Sequence, residues 1–148
     1  MYQMDGLEVY IHGYETEFQY KLNKLIDLQG SFSATRGENL TDNSPLYYVP
    51  PDKILLSTEV YLSPFSINLM HKKVFSQNRV GLYEETTPGY ETYNLIGTYT
   101  IRSTQAIHKF ILQIDNIFDR KYYNHLSRIK SIMPEKGRNM GFQYRLNF

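Results

Sequence analysis

Cysteine is absent from all 148 residues, which excludes a disulfide framework and any thiolate metal site. Tryptophan is absent as well. Strong charge of one sign is also missing: the formal net charge is +1 and the lysines and arginines are scattered, which argues against nucleic acid as the main partner. No run of about eighteen apolar residues occurs, so a membrane-spanning helix is excluded. Residues 1–6 lack a basic flank followed by an apolar core, so no signal peptide is read there, and the chain is expected either to be cytosolic or to lack its true start. The length suits one domain and no more.

What is abundant is tyrosine. Fourteen Tyr and eight Phe make 15% of the chain aromatic, a composition that favours strands and interfaces. Mean hydropathy is −0.48, but a sheet that puts only alternate residues in lipid also averages low. The clearest pattern lies at the end, where Met140, Phe142, Tyr144, Leu146 and Phe148 alternate with Asn139, Gly141, Gln143, Arg145 and Asn147. A period of two is the signature of a strand whose faces meet different surroundings. Seven such segments are predicted: 7–20, 25–35, 53–62, 65–75, 92–102, 106–118 and 138–148. In the first, apolar residues change phase after Ile11, so a bulge is expected at Gly13. In the fourth, His71 and Lys73 interrupt the apolar side.

The connections alternate strictly between short and long. Turns near Asn23, Ser63-Pro64 and Ser103-Thr104 read as tight hairpins, whereas 36–52, 76–91 and 119–137 are long and rich in Gly, Pro, Asn, Tyr and charge. Long loops are uncommon in compact soluble domains, while outer-membrane barrels combine short periplasmic turns with long extracellular loops. The polar side would align Asp27, Gln29, Glu59, Asn94, Arg102, Lys109, Gln113, Asp115, Gln143 and Arg145. Such a surface must be wet, which fits a polar lumen with the apolar side in lipid. Tyr20, Tyr61, Tyr93 and Tyr144 are candidates for aromatic girdles. The expected fold is therefore all-β, an antiparallel transmembrane β-barrel segment of about seven strands. An odd count with ends on opposite sides cannot close, so the chain reads as a fragment. The alternatives are a complete small outer-membrane barrel, for which residues 1–5 would have to supply an eighth strand, and a soluble lipid-binding β-barrel.

The stretch Asp115-Asn116-Ile117-Phe118-Asp119-Arg120-Lys121-Tyr122-Tyr123 resembles a motif near the end of TonB-dependent outer-membrane receptors, where an Asn-Leu-Phe-Asp core leads into Lys-Tyr-Tyr. Pro134-Glu135-Lys136-Gly137-Arg138-Asn139 looks like the Pro-x-x-Gly-Arg-Asn start of that family's last strand, and the terminal Phe148 matches too. Gly13-Tyr14-Glu15 and Val49-Pro50-Pro51-Asp52-Lys53 resemble its Gly-x-Glu strand and Ile-Pro-Pro loop exit. Ile117 in place of Leu and Lys136 in place of a second Pro are the departures. The resemblance implies that 1–148 is the C-terminal portion of a barrel of about 22 strands. It further implies a Gram-negative outer-membrane location, a separate plug and the missing barrel strands as partners, and coupling to the TonB complex through that plug. The expected function is uptake of a scarce nutrient such as a ferric siderophore, haem or cobalamin.

No catalytic residue, cofactor or metal site is expected. The four histidines have no ligand spacing, and Ser127 beside His125 is proximity in sequence only. Tyr122, Tyr123, His125, Arg128 and Lys130 form an aromatic and basic loop suited to an anionic metal chelate at a barrel mouth, and are the candidate ligand contacts. Asn116, Phe118, Asp119, Gly137, Arg138 and Phe148 are expected to be structural, with Arg138 tying the loop to the last strand by charge-assisted bonds.

Overall fold

The computed structural model describes residues 8–148, in which strands occur and no α-helix does. Eight strands follow in order: β1 (Val9–Lys21), β2 (Ile26–Asn39), β3 (Ser44–Pro45), β4 (Lys53–Leu62), β5 (Phe65–Val74), β6 (Tyr90–Arg102), β7 (Ile107–Asp115) and β8 (Asn139–Asn147). All neighbours pair antiparallel in the order β1-β2-β4-β5-β6-β7-β8, and the two-residue β3 pairs only with the end of β2. The seven expected strands are thus present, with β3 as an unforeseen addition. β1 and β8 make no contact with each other, so the sheet is open. The expectations on Leu7 and on residues 1–5 lie outside the described residues.

Because the registers are continuous, each face can be followed from strand to strand. One face carries Phe18, Leu28, Phe32, Leu56, Val60, Ile67, Leu69, Leu95, Leu112, Ile114, Phe142 and Leu146. The opposite face carries all ten polar residues expected to line a lumen. Phe142 is 69% exposed, and the only buried hydrophobic residues among those described are Val49, Val74 and Tyr90, near the long-loop end of the sheet. The apolar face is therefore bare, as expected of a sheet that faces lipid.

The apolar face ends in aromatic residues. Toward the short turns, Phe65, Tyr99, Phe110 and Tyr144 form a chain across four strands, with ring centroids 4.7, 6.4 and 5.1 Å apart. Tyr144 also bonds through its hydroxyl to His108 Nδ1 at 2.8 Å. Tyr93 marks the other level, about 20 Å along the strand from Tyr99 at the usual rise per residue. Two amphipathic girdles with an apolar band between them are the expected profile of a transmembrane sheet. Tyr61 does not belong to them. Its odd position places it on the polar face, where its hydroxyl lies 3.5 Å from Asp27 Oδ2.

Three further expectations need correction. Gly13 carries no bulge, because it pairs one to one with Thr35 in an unbroken register. The chemistry changes there instead: above Gly13 the series on the apolar face becomes His12 and Tyr10, opposite Arg36 and Glu38, so the strand has left the apolar band without shifting its backbone. For the same reason β2 runs four residues beyond Thr35, to Asn39. β7 stops at Asp115 rather than Phe118, because Asn116 adopts a left-handed conformation (φ 50°) and turns the chain. His71 and Lys73 stand on the apolar face as expected, and both are paired there. Glu91 on β6 takes Lys73 Nζ at 2.8 Å and His71 Nε2 at 3.3 Å, and His71 stacks on Tyr93 at 4.5 Å.

Candidate functional site

Three long connections rise from the same end of the sheet: the β2–β4 loop (40–52), the β5–β6 loop (75–89) and the β7–β8 loop (116–138). The short turns close the other end. In one, Ser103 Oγ accepts from the Ala106 N–H at 3.0 Å, and Ser103 N–H donates to Ala106 O at 2.9 Å. The long loops hold buried polar residues, among them Gln77, Thr87, Asn116 and His125, and each of these has a partner.

The base of the β7–β8 loop is a clasp built from the Asn-Ile-Phe-Asp segment. Asn116 is 4% exposed; its Nδ2 donates to Arg120 O at 2.9 Å and to Lys136 O at 3.4 Å, while its Oδ1 accepts from Arg120 N–H at 2.9 Å. The backbone N–H of Asn116 is taken by Asn94 Oδ1 at 2.9 Å, which fixes the turn to β6. Asn116 and Asp119 both have positive φ, a conformation that Asn and Asp tolerate better than other side-chain-bearing residues. Asp119 Oδ1 then accepts from Arg138 N–H at 2.7 Å. A Cβ at position 137 would lie 2.6 Å from that oxygen, so the approach needs glycine. The expected tie between loop and last strand exists, but it runs through the Arg138 backbone; the Arg138 side chain is in none of the ion pairs among the described residues. Phe118 has left the strand, is 73% exposed and meets Tyr93 edge-on at 5.3 Å. Phe148 lies beyond β8 and is fully exposed.

Above the clasp, Glu84 joins all three loops. Its carboxylate accepts from the N–H of Gly81 in its own loop at 3.2 Å and of Tyr48 in the β2–β4 loop at 3.3 Å, and faces His125 Nε2 in the β7–β8 loop at 3.1 Å. The last contact is short but off the N–H axis, so Nε2 completes no hydrogen bond. On the other side of the ring, Nδ1 lies 2.9 Å from Thr87 Oγ1 and 3.2 Å from Lys130 Nζ. Lysine can only donate, so Nδ1 carries the lone pair and the proton of the neutral ring sits on Nε2, toward Glu84. Lys130 spends its other donors on Glu85 O at 2.6 Å and Thr87 Oγ1 at 3.0 Å. Burial, reinforced by Lys130, holds the His125 imidazole below its ordinary range, with Glu84 opposing. The β2–β4 loop is held at its other end by Arg36, whose guanidinium grips Asp52 with two bonds of 2.6 and 2.7 Å and keeps that carboxyl below the usual carboxylate range.

The five candidate ligand residues therefore have different situations. Tyr122 stacks on Tyr90 at 4.2 Å, and burial raises its phenol above the ordinary range. His125 is buried and Lys130 is occupied by the β5–β6 loop. Tyr123 and Lys130 border a cleft of about 190 Å³ between the two loops, opposite Thr86 and Pro88. Arg128 is exposed and engages no carboxylate among the described residues, so it alone of the five presents an uncommitted charge. Sequence reasoning missed Glu84, Thr87 and Gln77, which sit in the β5–β6 loop, where Gln77 and Thr87 bridge each other, and which signal their role through partners distant in sequence. Among the described residues no three His, Asp or Glu side chains converge as a metal cage.

No protein-family model matches the chain. It is 23% identical, over 99% of its length, to the metal-pseudopaline receptor CntO of Pseudomonas aeruginosa, and covers 22% of that protein. A solved structure, the copper transporter OprC, superposes over 93% of the chain with a TM-score of 0.84 at 21% identity, and the match covers 23% of its chain. The chain thus spans about a fifth of the length of each of these two proteins, and it shares the fold of the second.

Proposed function

We propose that the chain is the C-terminal sector of a TonB-dependent receptor barrel of the Gram-negative outer membrane, one that imports a metal ion or metal chelate. The observation that carries this reading is a two-faced, open sheet of seven long strands, similar from end to end to part of a receptor for a metal chelate. Iron siderophores, haem and cobalamin remain members of the wider class, but the two relatives are named for pseudopaline-bound metal and for copper, so a transition-metal cargo is preferred. In this reading β1 and β8 pair with barrel strands outside the 148 residues, a plug fills the polar lumen, and the TonB complex acts through that plug. No chemistry on the cargo is assigned to the chain.

Arg128 is the contact to test, as an exposed cation of the β7–β8 loop that pairs with no carboxylate among the described residues. Arg128→Glu in the full-length receptor is expected to weaken binding of such a chelate about tenfold, equivalent to ~1.4 kcal/mol. The measurement is chelate binding to purified receptor by calorimetry, with uptake of the same metal by whole cells alongside. Unchanged affinity with normal uptake would remove Arg128 from the site. Failure of the wild-type receptor to bind or import any metal chelate would remove the functional reading itself.

A further inference from the structure

The Glu84–His125–Lys130 group has the properties of a switch rather than of a passive tie. Its imidazole is 2% exposed and sits between two groups of opposite charge on different loops: Glu84 on the β5–β6 loop and Lys130 on its own. Among the described residues these two are the charged groups that act on it; the β2–β4 loop brings the Tyr48 N–H to Glu84, the Tyr47 ring to Gly81 and Val49 O to Gln77, none of them charged. While the ring is neutral, Nδ1 accepts from donors and Lys130 can stay within 3.2 Å. A second proton must go to Nδ1, the nitrogen that points at Thr87 and Lys130. The ring then becomes a buried cation with the Lys130 ammonium 3.2 Å away. Glu84 can compensate the ring; Lys130 has no carboxylate partner among the described residues.

We propose that His125 is a proton-sensitive latch: neutral, it lets Lys130 lock the β7–β8 loop onto the β5–β6 loop; protonated, it expels Lys130 and parts the two loops. Lys130 would leave Glu85 O and Thr87 Oγ1 for water, and the cleft beside Tyr123 would widen. His125 and Glu84 are then positioning residues for the face that carries Arg128, and they act whichever ligand is imported. The direction with pH follows from the folded-state imidazole being the weaker base. Below about pH 6.5 an opened or unfolded segment binds the proton more readily, so stability present above that pH is lost as pH falls.

The two loops can be followed with spin labels on Thr86→Cys and Ser131→Cys, which flank the cleft, in full-length receptor freed of other cysteines and held in lipid nanodiscs. Lowering the pH from 8 to 5 is expected to raise the parted population reversibly, by up to about tenfold per pH unit, the slope of one proton. His125→Gln keeps an acceptor for Lys130 but cannot be protonated, so its distances should stay short and flat across the range. Lys130→Met should loosen the loops at every pH and flatten the response. A wild-type distance that does not change with pH overturns the latch by itself, and so does a His125→Gln response equal to the wild type.

Discussion

Arginine at position 142 is expected to destabilise the folded barrel by about 2–4 kcal/mol, because Phe142 faces the apolar side of β8 between the two aromatic levels. Its ladder neighbour is Leu112, and across β7 lies Gly97, so an arginine there would have no carboxylate or backbone acceptor within the band. Gln143 is one residue away and faces the opposite side, in register with Ile111 and flanked by Arg145 on its own strand. Gln143→Arg should therefore cost far less, within about 1 kcal/mol, as a charge added to a wet surface. Urea titration of both variants in lipid vesicles compares them directly. Equal losses would mean that the faces are not differentiated in the way the register requires.

Replacing Asn116 with alanine is expected to release the β7–β8 loop, at a cost of about 2–4 kcal/mol. Two sources add. The bonds of the Asn116 side chain to the Arg120 N–H and to the Arg120 and Lys136 carbonyls are lost, each typically worth about 0.5–1.5 kcal/mol net. Alanine must also hold a φ of 50°, which costs roughly 1–2 kcal/mol more than it costs asparagine or glycine. Asn116→Gly keeps the turn and loses only the bonds, so it should fall between alanine and wild type. Limited proteolysis of the folded receptor reads the effect as cleavage within 120–136. A wild-type protection pattern in Asn116→Ala would show that the loop is held by the Glu84–His125 contacts alone.

Where strands stand in a two-faced environment, the sequence is readable because every second residue must match its solvent. That is why β4, β6 and β8 emerge within two residues of their expected bounds. The same rule misleads at the outer rim. Above Gly13 the strand continues but the apolar series does not, and a changed pattern on an unbroken register imitates a bulge. Likewise Phe118 falls in phase with the apolar residues Phe110, Leu112 and Ile114 of β7, although Asn116 has already turned the chain. The clasp was legible as a motif, yet its mechanism was not: Asp119 reaches the N–H of Arg138, a backbone group that no side-chain pattern reveals. The three-loop junction was hidden for a different reason. Glu84, Thr87, His125 and Lys130 come from two loops about forty residues apart, and only their packing makes a lone histidine into a buried one.

The most direct test of the membrane-spanning, two-faced sheet is a cysteine scan along β8, in intact outer membranes, with a water-soluble thiol reagent. The chain itself contributes no background cysteine. Gln143→Cys and Arg145→Cys should react, whereas Phe142→Cys and Leu146→Cys should stay protected until detergent is added. Equal reactivity at all four positions, or protection of 143 and 145 with free reaction at 142 and 146, would contradict it.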